Sequence, residues 1–205
     1  MFSSVINYMS QFHPIYHLKD ELSQYMERRH FPKKSILLNA GEIADYTFFL
    51  EHGLMRAFIE KDGNEITTWV AHESMFVTAI QSFYSQNPSF ESVETLENCS
   101  IVLIRYKDMM TSAIKDHDFC LCMFNMLQKY NIFRDNRTYM LRSFSAYERY
   151  EWMIQHDPDL VRRTTNKVMA SYLDIKQETL SRVRTQMKKE GIYVQLVIFS
   201  FGLYE

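Results

Sequence analysis

Apolar and polar positions divide the chain into a strand-rich part followed by a helical part. Between Lys34 and Arg105, short apolar or alternating runs end at glycines, a pattern typical of β-strands joined by tight turns. The stretch "LMRAFIEKDGNEITTWV" predicts a hairpin at Asp62-Gly63, because glycine supplies the positive φ of a two-residue turn. No helical stretch of crossover length separates these runs, so the pattern predicts an antiparallel sandwich or barrel.

From Lys107 the pattern is helical for more than thirty residues. One stripe follows alternating spacings of four and three and consists of Phe119, Met123, Met126, Tyr130, Phe133, Arg137, Met140 and Phe144. A repeat of about 3.5 residues favours packing of helix on helix, and we predict that the partner is a second copy in a twofold dimer. Arg137 would then fix the register of the two helices. The alternative is a helix that packs along the sheet of its own chain.

The stretch "NKVMASYLDIKQETLSRVRTQM" predicts two short helices joined by a turn. Ala170 provides the small residue where two steeply crossing helices touch, Asp174 lies in the turn, and Leu180 points inward on the second helix; this spacing is that of a helix-turn-helix. The predicted base-reading residues, on the outer face near the start of the second helix, are Gln177, Glu178, Ser181 and Arg182. The predicted phosphate-contacting residues are Asn166, Lys176, Arg184, Lys188 and Lys189.

Charge is distributed unevenly along the 205 residues, although the net charge is only −2. Between Leu160 and Glu190, eight Lys and Arg residues stand against three Asp and Glu residues, a local charge of +5 that leaves −7 for the remainder. A basic segment on an acidic body can bind polyanions locally. A solvated helix face would explain the same charges, but their coincidence with the predicted helix-turn-helix favours DNA.

Other chemistry has little support in the sequence. No apolar run reaches the roughly 18 to 20 residues of a membrane span, so we expect a cytoplasmic protein. The three cysteines lack metal-ligand spacing and are expected to be buried, inert thiols. Pro14 separates His13 from His17 and breaks the helix that would align them, so no metal site is predicted. We find no nucleophile–base pair or phosphate loop and expect no enzyme, although a linear pattern does not exclude a spatial one.

Several stretches in this order resemble the Crp/Fnr family of regulators: "AGE", "FFLEHGLMRAFIEKDGNE", "CSIVLIRY", the long helix and "MASYLDIKQETLSRVR". The resemblance extends from about Ser35 to Gly191. It implies an α+β chain: an N-terminal antiparallel, jelly-roll-like β-roll sensor domain (1–112), a dimerisation helix (113–144) and a C-terminal winged helix-turn-helix (145–205).

The recognition segment matches this family only in part. Glu178 and Arg182 fall on the family's base-reading Glu and Arg, whereas Gln177 replaces an Arg. Asp174 stands where Gly is usual and Lys176 where a Ser or Thr cap is usual, a change that costs on the order of 1 kcal/mol. The closing "IYVQLVIFSFGLYE" lacks the Gly-containing turn of a typical wing.

The segment Met75–Cys99 corresponds to the one that holds the phosphate in cyclic-nucleotide-binding members of the family. It contains no Lys or Arg, and Ser89 and Phe90 fall on the positions of the residues that grip the phosphate. A buried phosphate without a cation carries a large desolvation penalty, so tight binding of cyclic AMP is not expected. The residues of a less polar effector pocket, or of a filled core, would be Phe76, Thr78, Phe83, Ser89 and Phe90.

These patterns together predict a homodimeric, sequence-specific transcriptional regulator that binds a palindromic site in double-stranded DNA, with RNA polymerase as a further candidate partner. Its effector is unknown, and no cofactor is expected: the N-terminal cysteine cluster of iron–sulfur sensors is missing, and only isolated histidines could ligate haem. The alternative is a ligand-sensing or adaptor module whose helix-turn-helix no longer binds DNA.

Overall fold

The computed structural model describes residues 2–191. Within these residues, eight strands form two four-stranded sheets, and every strand pairing is antiparallel. The first sheet has the order β1 (Met26–Phe31), β8 (Cys99–Arg105), β3 (Tyr46–His52), β6 (Met75–Val77). The second has the order β2 (Ile36–Leu38), β7 (Ser92–Thr95), β4 (Met55–Lys61), β5 (Asn64–Ala71). The predicted antiparallel strand region is therefore confirmed.

The predicted hairpin joins β4 to β5. Lys61 pairs with Asn64, and both turn residues have positive φ, 53° at Asp62 and 72° at Gly63. Two consecutive positive φ values are the requirement of the turn that matches the twist of a hairpin.

Helices surround and follow the two sheets. Before β1 the chain forms α1 (Ser3–Met9), a 3-10 turn (Tyr16–Leu18) and α2 (Lys19–Ser23). Helix α3 (Ile80–Ser85) lies between β6 and β7. After β8 come α4 (Tyr106–Lys115), α5 (His117–Ser143), α6 (Ala146–His156), α7 (Pro158–Arg163), α8 (Asn166–Tyr172) and α9 (Gln177–Lys189). The predicted long helix is α5. It begins after Asp116, whose side chain accepts a hydrogen bond from the Phe119 amide at 2.8 Å and caps the helix.

The stripe predicted as a dimer seam lies against the body of its own chain. Phe119 and Met123 are buried with the sheets and α1, and Met140 is buried with the C-terminal helices. Met126, Tyr130 and Arg137 are half-buried, while Phe133 and Phe144 lie at an exposed edge. The assignment of this face to a dimer seam was therefore wrong for its buried members, and the alternative of packing within the chain holds for them.

The C-terminal helices pack onto the β4–β5 side of the strand region. Their core contains Tyr150, Met169 and Leu180 and also takes in Leu54 and Val70 from the strand region. On its surface, the Ser171 hydroxyl accepts from the Thr67 amide at 2.8 Å and donates to the Glu65 carbonyl at 3.1 Å. The two parts of the described chain thus share buried contacts.

The structure bears on the predictions for the cysteines and for membrane-spanning helices, whereas the predicted wing lies outside the described residues. Cys99 and Cys122 are buried as expected, but Cys120 is exposed. Among residues 2–191, no helix is both long and apolar enough to cross a membrane. The predicted wing segment, 192–205, lies outside the described residues.

Candidate nucleic-acid interface

Helices α8 and α9 form the predicted helical pair. The turn between them closes through hydrogen bonds from the Asp174 amide to the Ser171 carbonyl (3.1 Å) and from the Ile175 amide to the Ala170 carbonyl (3.0 Å). Asp174 has φ +54°, a left-handed conformation that Asp tolerates better than most residues. Ala170 is buried as predicted, so the helices approach closely at a small side chain.

The two helix starts differ in their caps. The Thr165 side chain accepts from the Val168 amide at 3.3 Å and caps α8. Lys176 precedes α9 and provides no side-chain cap, as its replacement of a Ser or Thr predicts. The first-turn amides of α9 therefore point outward without a side-chain acceptor from their own N-cap.

The predicted base-reading face is exposed. Leu180, Val183 and Met187 are buried and fix the orientation of α9, so its opposite face is turned to solvent. The four exposed residues of that face are Gln177, Glu178, Ser181 and Arg182. Within residues 2–191, their side chains make one weak hydrogen bond, from Arg182 to the Thr179 hydroxyl at 3.5 Å. Their donors and acceptors remain available to an external partner.

The predicted phosphate-contacting residues fall into two groups. Lys176, Lys188 and Lys189 are exposed around the same helix. Arg184 is instead half-buried; it donates to the Tyr150 hydroxyl at 2.8 Å and to the Asn166 side-chain oxygen. Arg184 and Asn166 thus join α9 to α6 and α8, and the prediction that both are free for phosphates needs correction.

Several charges of the basic segment are neutralised within the chain. Arg163 forms ion pairs with Glu73 (2.7 Å), Glu97 (2.6 Å) and Asp159 (2.9 Å), and Lys167 pairs with Glu65 at 2.9 Å. The net charge of the segment therefore overstates its unpaired positive charge, which is concentrated on and beside α9.

Two arginines that sequence reasoning did not assign to this region hold the helical pair in place. Arg149 donates to the Leu173 carbonyl at 2.9 Å and the Asp174 carbonyl at 3.3 Å in the turn. It also donates to the carbonyls of Leu141 (2.6 Å) and Phe144 (3.0 Å) at the end of α5. One side chain therefore connects the long helix to the turn.

Arg137 makes a second connection between the long helix and α8. It donates to the Tyr172 carbonyl at 2.8 Å, and its guanidinium carbon lies 3.8 Å from the centre of the Tyr172 ring. Burial lowers the pKa of Arg137. The residue predicted to fix dimer register thus contacts its own chain.

The predicted effector pocket is divided in the structure. Phe76, Thr78 and Phe83 line a cavity beside α5. Ser89 and Phe90 do not line it: the Ser89 hydroxyl accepts from the Glu91 amide and donates to the Glu91 carbonyl, and Phe90 is 76% exposed. The assignment of Ser89 and Phe90 to an effector pocket is therefore corrected, because one stabilises its loop and the other faces solvent.

A buried cation in the strand region is also engaged. Arg56 is 4% exposed and pairs with Glu65 at 2.8 Å and Glu94 at 2.6 Å. Its guanidinium also donates to the Thr67 hydroxyl at 3.2 Å. Two carboxylates thus balance the charge of Arg56, which leaves little attraction for a phosphate.

The structure brings histidines and aspartates together where no metal site was predicted. The His13 ring lies 3.1 Å from Asp118, and the His17 ring lies 3.8 Å from Asp116 and 3.6 Å from Asp118. His17 and the two carboxylates are close enough to hold one divalent cation. The same contacts fasten the N-terminal segment to the start of α5 as ion pairs when the histidines are protonated.

Comparison with known proteins bears on the fold. Residues 28–115 match the cyclic nucleotide-binding domain family. This match covers less than half of the chain, and the solved structures that resemble the chain include one described as a transcriptional regulator of the Crp/Fnr family, from Eubacterium rectale. No curated protein sequence matches the chain.

Three solved structures illustrate the similarity. FixK2 from Bradyrhizobium japonicum has 16% identity and a TM-score of 0.70, over 82% of this chain and 86% of FixK2. The c-di-GMP-responsive global regulator CLP from Xanthomonas campestris has 14% identity and a TM-score of 0.68, over 86% and 93% of the two chains. A CooA mutant from Carboxydothermus hydrogenoformans has 16% identity and a TM-score of 0.68, over 84% and 80%. At these identities the similarity concerns the fold.

Proposed function

We propose that the protein is a sequence-specific DNA-binding transcriptional regulator in which α8 and α9 form the helix-turn-helix and α9 is the recognition helix. The observation that carries this proposal is the exposed row Gln177, Glu178, Ser181 and Arg182 at the start of α9, opposite a buried apolar face. The start of a recognition helix is the part that meets base edges in the major groove.

Each side chain of this row suits a base edge. Arg182 can donate two hydrogen bonds to guanine, Gln177 can pair with adenine, and Glu178 can accept from cytosine. Lys176, Lys188 and Lys189 supply charge for the phosphates, which position the protein but read no sequence.

The acting form in this proposal is a homodimer on a palindromic site. The exposed face of α5 carries Phe124 (56% exposed), Ile132 (63%) and Tyr139 (68%), and the half-buried Leu121 continues the same line. At about 100° per residue, Leu121, Ile132 and Tyr139 fall within about 20° of one line along the helix. A long helix with such a free apolar line favours a second copy of itself. On a palindromic site, the two recognition helices of this dimer would have to fit successive major grooves about 34 Å apart.

The domain limits belong to the same proposal: a sensor over 1–112, a dimerisation helix over 113–144 and a DNA-binding domain over 145–205. Arg137 on α5 contacts the end of α8, and Arg149 on α6 contacts the α8–α9 turn. These contacts support signal transfer along α5. A change in α5 would alter how both recognition helices fit successive grooves.

DNA binding is tested by selecting sites from a random pool and measuring affinity by fluorescence anisotropy at several salt concentrations. We expect a palindromic site whose affinity falls steeply with salt. Arg182→Ala should weaken binding by about 1–3 kcal/mol on the selected site and relax preference at one base position. Lys188→Ala should weaken all sequences alike and reduce the salt slope. Equal effects of the two substitutions on base preference would contradict specific readout.

The effector of this proposed regulator is not cyclic AMP. Met75–Cys99 lacks any Lys or Arg, and the buried Arg56 is balanced by two glutamates. Titration calorimetry of the full chain with cyclic AMP should therefore show no binding at low-micromolar concentration. A dissociation constant in that range would refute this part of the proposal.

A second candidate function is an adaptor or ligand-sensing module with a non-functional helix-turn-helix. The packing of α8 on the strand region favours it, since Ser171 bonds to Thr67 and Lys167 pairs with Glu65. Under this alternative the random pool yields no enriched site, and the salt dependence of any DNA binding is the same for all sequences.

A further inference from the structure

One imidazole and two carboxylates converge where the N-terminal segment meets the start of α5. Nε2 of His17 lies 3.8 Å from Oδ2 of Asp116 and 3.6 Å from Oδ2 of Asp118. Ligand atoms of the three side chains all lie within 4.8 Å of one another. The three residues come from two segments about a hundred residues apart in the chain, so only the fold brings them together.

The separations suit ligands of one metal ion better than hydrogen bonds. A hydrogen bond between a ring nitrogen and a carboxylate oxygen is about 2.7–3.2 Å long, so neither contact of His17 is one. Two ligands of a tetrahedral Zn²⁺ ion, with bonds of about 2.0–2.2 Å, lie roughly 3.3–3.6 Å apart. Small side-chain adjustments would therefore bring all three atoms within bonding distance of one ion.

The chain fixes one oxygen of each carboxylate and leaves the other facing His17. Oδ1 of Asp116 accepts a hydrogen bond from the Phe119 amide at 2.8 Å, and Oδ1 of Asp118 lies 3.1 Å from Nε2 of His13. Within residues 2–191, neither Oδ2 atom makes a hydrogen bond. Carboxylates that ligate metals are commonly oriented by such outer hydrogen bonds.

The N-terminal segment is held against α5 by contacts that need no metal. His17 lies in the 3-10 turn, where the Leu18 amide donates to the Ile15 carbonyl at 3.0 Å and both of these residues are buried. Asn125 on α5 donates to the Phe12 carbonyl at 2.9 Å. Ligands that are already in place lose little conformational freedom when they bind an ion.

We propose that His17, Asp116 and Asp118 bind one divalent first-row transition metal ion, for which Zn²⁺ is the probe. The two carboxylates balance its charge, and the imidazole favours such an ion over Mg²⁺ and Ca²⁺, which prefer oxygen ligands. Water would complete the coordination, because three side chains converge and His17 is 53% exposed. The ion would tie the N-terminal segment to α5, and its binding does not depend on the function proposed above.

Titration calorimetry of the tag-free full chain with Zn²⁺ tests the proposal. We expect one ion per chain, a dissociation constant in the micromolar range, and binding of Mg²⁺ that is weaker by about a hundredfold or more. His17→Ala should weaken Zn²⁺ binding by about tenfold or more. This variant should fold, because His17 is exposed and makes no hydrogen bond within the described residues.

Asp116→Asn should weaken Zn²⁺ binding to a similar extent, because it removes a carboxylate ligand. Asn caps a helix about as well as Asp does, so the start of α5 should be preserved. An affinity that stays unchanged in this variant would contradict the assignment of Asp116 as a ligand.

His117→Ala and Cys120→Ser are the matched controls. His117 is an exposed histidine between the two aspartates, Cys120 is an exposed thiol two residues beyond them, and neither belongs to the cluster. Both variants should keep the Zn²⁺ affinity of the original chain. A loss in either control as large as that in His17→Ala would show adventitious surface binding and overturn the proposal.

Two results with the original chain would also overturn it. If Zn²⁺ does not bind, His17 and the aspartates form ion pairs only. If Zn²⁺ and Mg²⁺ bind equally, the carboxylates attract any divalent cation and the imidazole is not a ligand.

Discussion

The side chain of Arg149 connects the end of α5 to the turn before α9. Its guanidinium donates to carbonyls at the end of α5, at Leu141 and Phe144, and in the turn before α9, at Leu173 and Asp174. Carbonyls at a helix end have no partner within the helix, so the arginine satisfies groups that would otherwise need water or another donor. The position of α9 relative to α5 depends on this contact.

Replacing Arg149 with Ala should lower the free energy of unfolding by about 3 kcal/mol, because charge-assisted hydrogen bonds to half-buried carbonyls are lost together. Urea unfolding followed by circular dichroism measures this change. Arg142→Ala, at an exposed arginine of the same helix end, is the control and should stay within about 0.5 kcal/mol of the original chain. Equal losses for both substitutions would show that the carbonyl contacts contribute little.

Among single residues, the sequence predicted those that face outward better than those that connect helices or strands. The exposure of Gln177, Glu178 and Arg182 follows from helical periodicity once Leu180 is taken as buried. The bridging roles of Arg137, Arg149 and Arg184 depend on which elements come together in space, and a single arginine in a helical pattern carries no such information.

Among the elements, α5 shows what periodicity can and cannot predict. The regular stripe through Phe119, Met123 and Met140 correctly indicated a buried face. It did not indicate what covers that face, because a 3.5-residue repeat fits a sheet and neighbouring helices of the same chain as well as a second copy. The exposed line is less regular, since Gln128 and Asp135 interrupt it, so no repeat in the sequence marks it.

The exposed line of α5 makes a specific prediction about assembly. Ile132 lies about 180° around the helix from Met123 and is 63% exposed, so a charge there should not disturb the core. Ile132→Glu should convert a dimer to a monomer, because the symmetric contact of the dimer would bury two carboxylates. Sedimentation equilibrium at several concentrations measures the change.

Thr138→Glu is the control for this prediction. Thr138 is also exposed on α5, but it lies about 100° from the line of Leu121, Ile132 and Tyr139. It should leave the association constant unchanged. A dimer that survives Ile132→Glu, or one that is lost equally with Thr138→Glu, would contradict the assignment of this face.

Across the whole molecule, ion pairs connect the C-terminal helices to the strand region. Arg163 on α7 contacts Glu73 and Glu97, and His72 lies 3.4 Å from Asp157. Burial raises the pKa of Glu73, but hydrogen bonds from Arg163 and the Gly53 amide lower it to about 2, from an ordinary value of 4.5. The hydrogen bond to Asp157 raises the pKa of His72 above its ordinary 6.5.

These pKa shifts predict how the packing of the C-terminal helices on the strand region depends on pH. The contribution of Glu73 is present above pH 4.5 and is lost as the pH falls towards about 2, where the folded carboxylate is protonated. The contribution of His72 is complete below pH 6.5 and is lost as the pH rises through its elevated folded pKa. The two contacts together should therefore stabilise the packed arrangement most between pH 4.5 and pH 6.5.

Arg163→Met tests this account, because it removes the cation that lowers the pKa of Glu73 while it keeps an apolar stem of similar length. The free energy of unfolding, measured in urea at pH 3, 5.5 and 8, should fall by roughly 2 kcal/mol at pH 5.5. The difference between variant and original chain should shrink towards pH 3, because below the ordinary pKa of 4.5 Glu73 is protonated in the unfolded chain, and the ion pair with Arg163 then forms only by releasing that proton. Arg162→Met, at a neighbouring arginine that is 78% exposed, should leave the pH profile unchanged. A loss in Arg163→Met that is the same at pH 3 and pH 5.5 would show that Arg163 stabilises the chain by packing alone, without charge coupling to Glu73.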